Sequence, residues 1–94
     1  MTLTSAQRRA LKSRGQTMGD DARIPGEGLN DATLRHLLDL LTRRDLIKVR
    51  FEQLEGAERK AFASQLAQAT DAQLVGVVGR TALLYRAPAQ SPTP

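Results

Sequence analysis

Helical and alternating apolar spacing take turns along the chain. Leu3 to Arg14 reads as a first helix, because Thr4 with Gln7 three residues on fits a capping box. At about 100° per residue, Leu3, Ala6, Ala10 and Leu11 share one side of it, while Arg8, Arg9 and Lys12 gather on the other. The basic triplet is therefore expected to point away from whatever this helix packs on. Arg14 falls at the apolar side, where its stem can snorkel outward. Gly15 to Asp21, with two glycines and two aspartates, reads as a break.

A short extended piece, Ala22 to Ile24, leads into Pro25-Gly26-Glu27-Gly28, a tight turn with two glycines free to take positive φ. Asn30 is the expected cap of a second helix reaching about Arg44. Its Leu34, Leu37, Leu38 and Leu41 keep the spacing of a buried stripe. Arg35–Asp39 and Asp39–Arg43 are placed to pair on its wet face. Leu46 to Phe51 alternates, with Ile47, Val49 and Phe51 on one face and Lys48 and Arg50 on the other, as a strand with one core side does.

Ala57 to Ala69 reads as a third helix burying Phe62, Leu66 and Ala69. Gln73 to Val78 and Thr81 to Arg86 read as two strands joined at Gly79-Arg80, a hairpin. Their near-continuous apolar content predicts a sheet covered at least partly on both faces there. The order is α-β-α-β-α-β-β, and its β-α-β crossovers are right-handed by rule. If both progress in one direction, the second and third helices share a face. The first helix is then free for the other face or an edge, beside Lys48 and Arg50.

Size and composition narrow the function. Ninety-four residues make one domain, expected over 1–86, followed by a Pro-rich tail, 87–94, that reads as disordered. No apolar run approaches the roughly 20 residues of a membrane helix, and no secretory signal follows the early basic residues. A cytoplasmic location is expected. The absence of cysteine excludes disulfides and thiolate metal sites. His36 is the single imidazole and falls on the polar side of the second helix. Asp20 and Asp21 are adjacent on a loop and expected to point apart, so no acid–base pair is evident. No enzyme activity, cofactor, metal or small-molecule substrate is expected.

Charge supplies the positive signal. Arg8, Arg9, Lys12 and Arg14 stand in the first fourteen residues without an acidic residue, whereas ten Lys/Arg and ten Asp/Glu balance from residue 15 onward. The formal net charge of +4 is thus that opening segment. A cationic excess on one element is the footprint expected for a polyanion-binding surface. A solvated helix face that keeps the protein soluble is the plainer reading of the same charges.

Several stretches together carry a resemblance. Leu3-Thr4-Ser5-x-Gln7-Arg8-Arg9, the Gly28-Leu29 junction, Leu46-Ile47-Lys48-Val49, and Val78-Gly79-Arg80-Thr81-x-x-Leu84-Tyr85-Arg86 look like the CRM domain (YhbY-like) family over about residues 3 to 86. The resemblance implies a two-layer α/β fold with a mixed four-stranded sheet of order 1-2-4-3, similar to the C-terminal domain of translation initiation factor 3. It also implies RNA binding. Free-standing bacterial members of the family associate with precursor large ribosomal subunits, and plant members serve intron splicing. A glycine loop between the first strand and the next helix is one of the family's RNA-contacting elements, and it maps onto Gly26 and Gly28 here. The sequence departs from the pattern in that loop: Pro25 removes an N–H, Glu27 adds a negative charge, and no lysine is present.

The expected RNA contacts are therefore Arg8, Arg9, Lys12, Lys48 and Arg50, with Gly26 and Gly28 if the loop takes part. Phe51 and Phe62 are expected in the core, and Tyr85 is the one candidate for base stacking, its plainer place being the closing end of the last strand. Recognition of structured RNA through its phosphates is the resulting expectation, with ribosomal RNA or the pre-ribosomal large subunit as partner and the protein a monomer. The alternative is a protein-interaction module whose RNA-binding loop has degenerated, its basic helix docked on an acidic patch.

Overall fold

Four strands pair into one mixed sheet, and the helices divide between its two faces. The arrangement is seen in a computed structural model that describes residues 3–24, 30–52 and 56–86. Its elements are α1 (Ser5–Gln16), β1 (Ala22–Ile24), α2 (Asp31–Arg43), β2 (Leu46–Phe51), α3 (Gly56–Ala69), β3 (Gln73–Val78) and β4 (Thr81–Tyr85). The sheet order is β1-β2-β4-β3. β1 and β2 are parallel, and β4 runs antiparallel to both its neighbours. Fold class and strand order are those the sequence and the resemblance imply. Pro25-Gly26-Glu27-Gly28 and residues 87–94 lie outside the described residues.

The main core lies between the sheet and the pair α2 and α3. Ile47, Val49 and Phe51 point into it from β2, as their alternation predicts, and meet Leu37 and Leu41 of α2 with Ala63 and Leu66 of α3. Most of these side chains are fully buried, each contributing about 1.5–3 kcal/mol in removal from water. Phe51 and Phe62 pack with ring centroids 5.8 Å apart. Asn30 caps α2 by accepting from the Thr33 amide. On the wet face of α2, Asp39 pairs with Arg43 rather than Arg35. Along α3 the buried residues are Ala63, Leu66 and Ala67; Ala69, expected inside, is exposed.

A smaller core lies on the opposite face, where Leu3 and Leu11 of the α1 segment meet Leu46, Val75 and Leu83. Tyr85 packs against this group, in the strand-closing place expected for it. The capping box at Thr4 and Gln7 is present, each side chain accepting from the other's backbone N–H. The helix does not stop at Arg14, however, but continues through Gly15 to Gln16. Gly15 is buried on Leu83, and a Cβ there would stand 2.5 Å from a Leu83 methyl. The glycine is thus a point of close approach between helix and strand, not a helix breaker.

β3 carries a bulge. Leu74 faces Leu84 and Gly76 faces Leu83, so Val75 is the inserted residue. The extra residue sends Val75 and Gly76 toward α1, while Leu74 and Val77 remain with the main core. This accounts for the apolar run of β3 without a simple alternation. The β3–β4 turn takes its left-handed residue from Gly79, at φ 60°. Among the described residues no helix is long and apolar enough to cross a membrane.

Candidate functional site

The cations of α1 do not all face solvent. Arg8 is half-buried, and its Nη1 donates to the carbonyls of Leu74 and Val75, each at 2.9 Å. The expectation that Arg8, Arg9 and Lys12 point together away from the packed face is corrected here. The seated face of the helix contains Arg8, Leu11 and Gly15, whereas Ala6 and Ala10 are exposed. Counting alanine as apolar and glycine as a breaker rotated the predicted face. The real contact needs no side chain at Gly15 and a long donor at Arg8.

Lys12 is exposed, and its stem passes over Gly76, where a Cβ would come within 2.7 Å of the lysine Cε. Lys48 rises from β2 on the same side. Its Nζ donates to the carbonyls of Gly15 (3.2 Å) and Met18 (3.3 Å), at the C-terminal end of α1. A cation is favourable there, because the last carbonyls of a helix are otherwise unsatisfied and carry partial negative charge. Lys12 and Lys48 border an open groove of about 130 Å³, floored by Gly76 and Leu83. None of its described lining residues is acidic.

Arg50, two residues further along β2, is exposed and stands 3.5 Å from a carboxylate oxygen of Asp20. Asp21 turns elsewhere, pairing with Arg44 and accepting from the Lys48 backbone N–H at 3.0 Å. The two aspartates thus point apart, as expected. Arg9 is exposed, and its side chain has no hydrogen bond or ion pair among the described residues. Arg14 pairs with Asp45 at 2.9 Å. That hydrogen bond holds the Asp45 carboxyl below, and the Arg14 guanidinium above, its ordinary range. Gly26 and Gly28 lie outside the described residues.

The structure thus brings Lys12, Lys48 and Arg50 onto one side of the sheet and seats Arg8 at its margin; Arg9 stands alone on the outer face of α1. Arg8 and Lys48 spend hydrogen bonds on carbonyl oxygens, which accept donors without cancelling charge. Of these cations, Arg50 alone has an ion pair with a carboxylate among the described residues. Arg23 was missed by the sequence reading, though it lies in register with Arg50 and is exposed. The signal was available in the alternation Ala22-Arg23-Ile24. Among the described residues no group of acidic, histidine or cysteine side chains could hold a metal. The chemistry on offer is attraction of an anion.

Residues 3–86 match the pattern of the CRS1 / YhbY (CRM) domain. A Pseudomonas aeruginosa protein named "Probable RNA-binding protein" is 31% identical over 86 residues, 92% of this chain and 83% of that one. The Bacillus subtilis "Probable RNA-binding protein YqeI" is 30% identical over 84 residues, covering 89% of this chain and 88% of its own. A Staphylococcus aureus protein solved in solution, described as a candidate RNA-binding protein, superposes with TM-score 0.85 at 31% identity over 97% of this chain and 95% of that one.

Proposed function

The chain belongs to the CRS1 / YhbY (CRM) domain family, and from that membership we propose that it is an RNA-binding protein that grips phosphate backbone with the α1 side of its sheet. Its RNA is ribosomal, met as ribosomal RNA or within a precursor large subunit during assembly. The observation that carries the reading is the groove between Lys12 and Lys48, cationic at its walls and free of described carboxylates. Arg8 and Arg50 extend the positive surface around it, and Arg9 adds charge from the outer face of α1. Phosphate contacts position a protein and carry little sequence information. The aromatic side chains support this mode: Phe51 is buried, Phe62 packs on it, and Tyr85 is committed to the small core.

The reading is tested by co-sedimentation with ribosomal particles from lysate and by titration of ribosomal RNA at several salt concentrations. If about three to five phosphates are contacted, log K falls against log salt with a slope of roughly −2 to −4. Absence of RNA affinity at low salt would overturn it and favour docking on an acidic protein surface. Affinity for RNA without association with large-subunit particles would confine the reading to RNA binding.

A further inference from the structure

The α1 face of the sheet is only partly covered. The contact of Gly15 with Leu83 brings α1 to its C-terminal end, and the next row of side chains is left open. Strand register defines that row: Arg23 on β1 lies opposite Arg50 on β2, Arg50 opposite Thr81 on β4, and Thr81 opposite Val78 on β3. Their neighbours Ala22, Ile24, Val49, Phe51, Val77 and Ala82 turn to the main core, so the pleat sends all four to the α1 side. Arg23, Arg50 and Val78 are exposed. Val78, at 64%, is the one large hydrophobic exposed among the described residues.

Two features of this row call for a ligand. Like charges directly opposite on paired strands repel, at a strand spacing of about 4.8 Å. Asp20 offsets Arg50, while the Arg23 side chain has no ion pair or hydrogen bond among the described residues. At the other end, Val78 offers a bare apolar surface that lines the groove under Lys12. A row that is anion-seeking at one end and apolar at the other, some three strand spacings apart, matches a short stretch of nucleic acid, with a phosphate at one end and the flat base of a neighbouring nucleotide at the other. A base reaches Val78 only if it is unstacked, which a duplex does not offer and a single strand does.

We infer that the row Arg23, Arg50, Thr81 and Val78 binds single-stranded RNA, with a phosphate taken between Arg23 and Arg50 in place of the Asp20 carboxylate and a base laid on Val78. This rests on the RNA-binding reading above and adds to it a further cation, the strandedness of the ligand and a built-in competitor. Asp20 holds Arg50 in the free protein and gives it up to RNA.

The experiment is a fluorescence-anisotropy titration of a labelled oligouridine and of a labelled RNA duplex against wild type, Arg23→Ala and Asp20→Asn. For the single strand, Arg23→Ala weakens binding about fivefold and makes the salt slope shallower by about 0.7, the effect of one lost contact. Asp20→Asn tightens binding about twofold. Should Arg23→Ala unfold, Asp20→Asn still decides the matter. Wild type that binds with a steep salt slope while both variants leave its affinity unchanged overturns this site and spares the RNA-binding reading. Equal effects on duplex and single strand overturn the single-strand assignment. A wild type without RNA affinity removes both.

Discussion

Arg8 of α1 donates to the carbonyl of Val75, the residue inserted at the β3 bulge. The same guanidinium nitrogen also reaches the carbonyl of Leu74. One long side chain thus fastens the helix to the strand where the ladder is locally disrupted and backbone acceptors are exposed. A cation read as a ligand for RNA has a structural task as well.

Removing Arg8 should therefore cost stability as well as charge. Arg8→Ala is expected to lower the unfolding free energy by about 1–2 kcal/mol, the range for hydrogen bonds from a charged donor that stays partly solvated. Urea denaturation measures it. Lys12→Ala, by contrast, should leave the urea midpoint close to wild type, because Lys12 is exposed, and should weaken RNA binding at every sequence tested.

Gly15→Ala sets two effects against each other. Alanine favours the helix by about 1 kcal/mol, but its Cβ would stand 2.5 Å from a methyl of the buried Leu83. Overpacking of this kind costs about 1–3 kcal/mol, so net destabilisation is expected. In a double-mutant cycle, Leu83→Ala should relieve part of the cost of Gly15→Ala. Additive losses would show that the two sites are not in contact.

Gly76→Ala tests how Lys12 is seated. The new methyl would press on Lys12 Cε, the far part of a flexible chain, so the fold can yield at little cost. Thermal unfolding should change little, while RNA affinity shifts in the direction of Lys12→Ala. Affinity equal to wild type would show that the position of Lys12 over Gly76 is irrelevant to binding.

Acid should cancel the contribution of the Arg14–Asp45 pair. Asp45 has a lowered folded-state pKa because Arg14 hydrogen-bonds its charged form, and Arg14 stays protonated throughout. The stabilisation is present above the ordinary aspartate pKa of about 3.9 and is lost as pH falls through the lower folded value. The pair is partly exposed, so the effect is that of a surface ion pair, at most about 1 kcal/mol. Urea midpoints of wild type and Asp45→Asn should differ at neutral pH and converge in acid.

Much of this protein was legible from residue order, because the signals are local. The capping box at Thr4, the Asn30 cap, the leucine stripe of α2 and the alternation from Ile47 to Phe51 each depend on neighbours within a turn or a pleat. With the helical spacing of α3, the short extended piece at β1 and the apolar runs of β3 and β4, they yielded each described element with its type. The pairing order came with the resemblance, and it agrees with the crossovers such an element order allows. The clustering of early cations was equally plain, since charge is counted without coordinates.

What residue order left open was decided by contacts between distant segments. The face that α1 presents depends on a missing Cβ at Gly15 meeting Leu83, and on Arg8 finding carbonyls that a bulge some 66 residues away makes available. Arg23 became part of the cationic row only when parallel pairing set it beside Arg50. Helical and strand periodicity report a residue's own element, whereas close approach, bulges and register arise between elements. Those relationships exist only once the chain has folded.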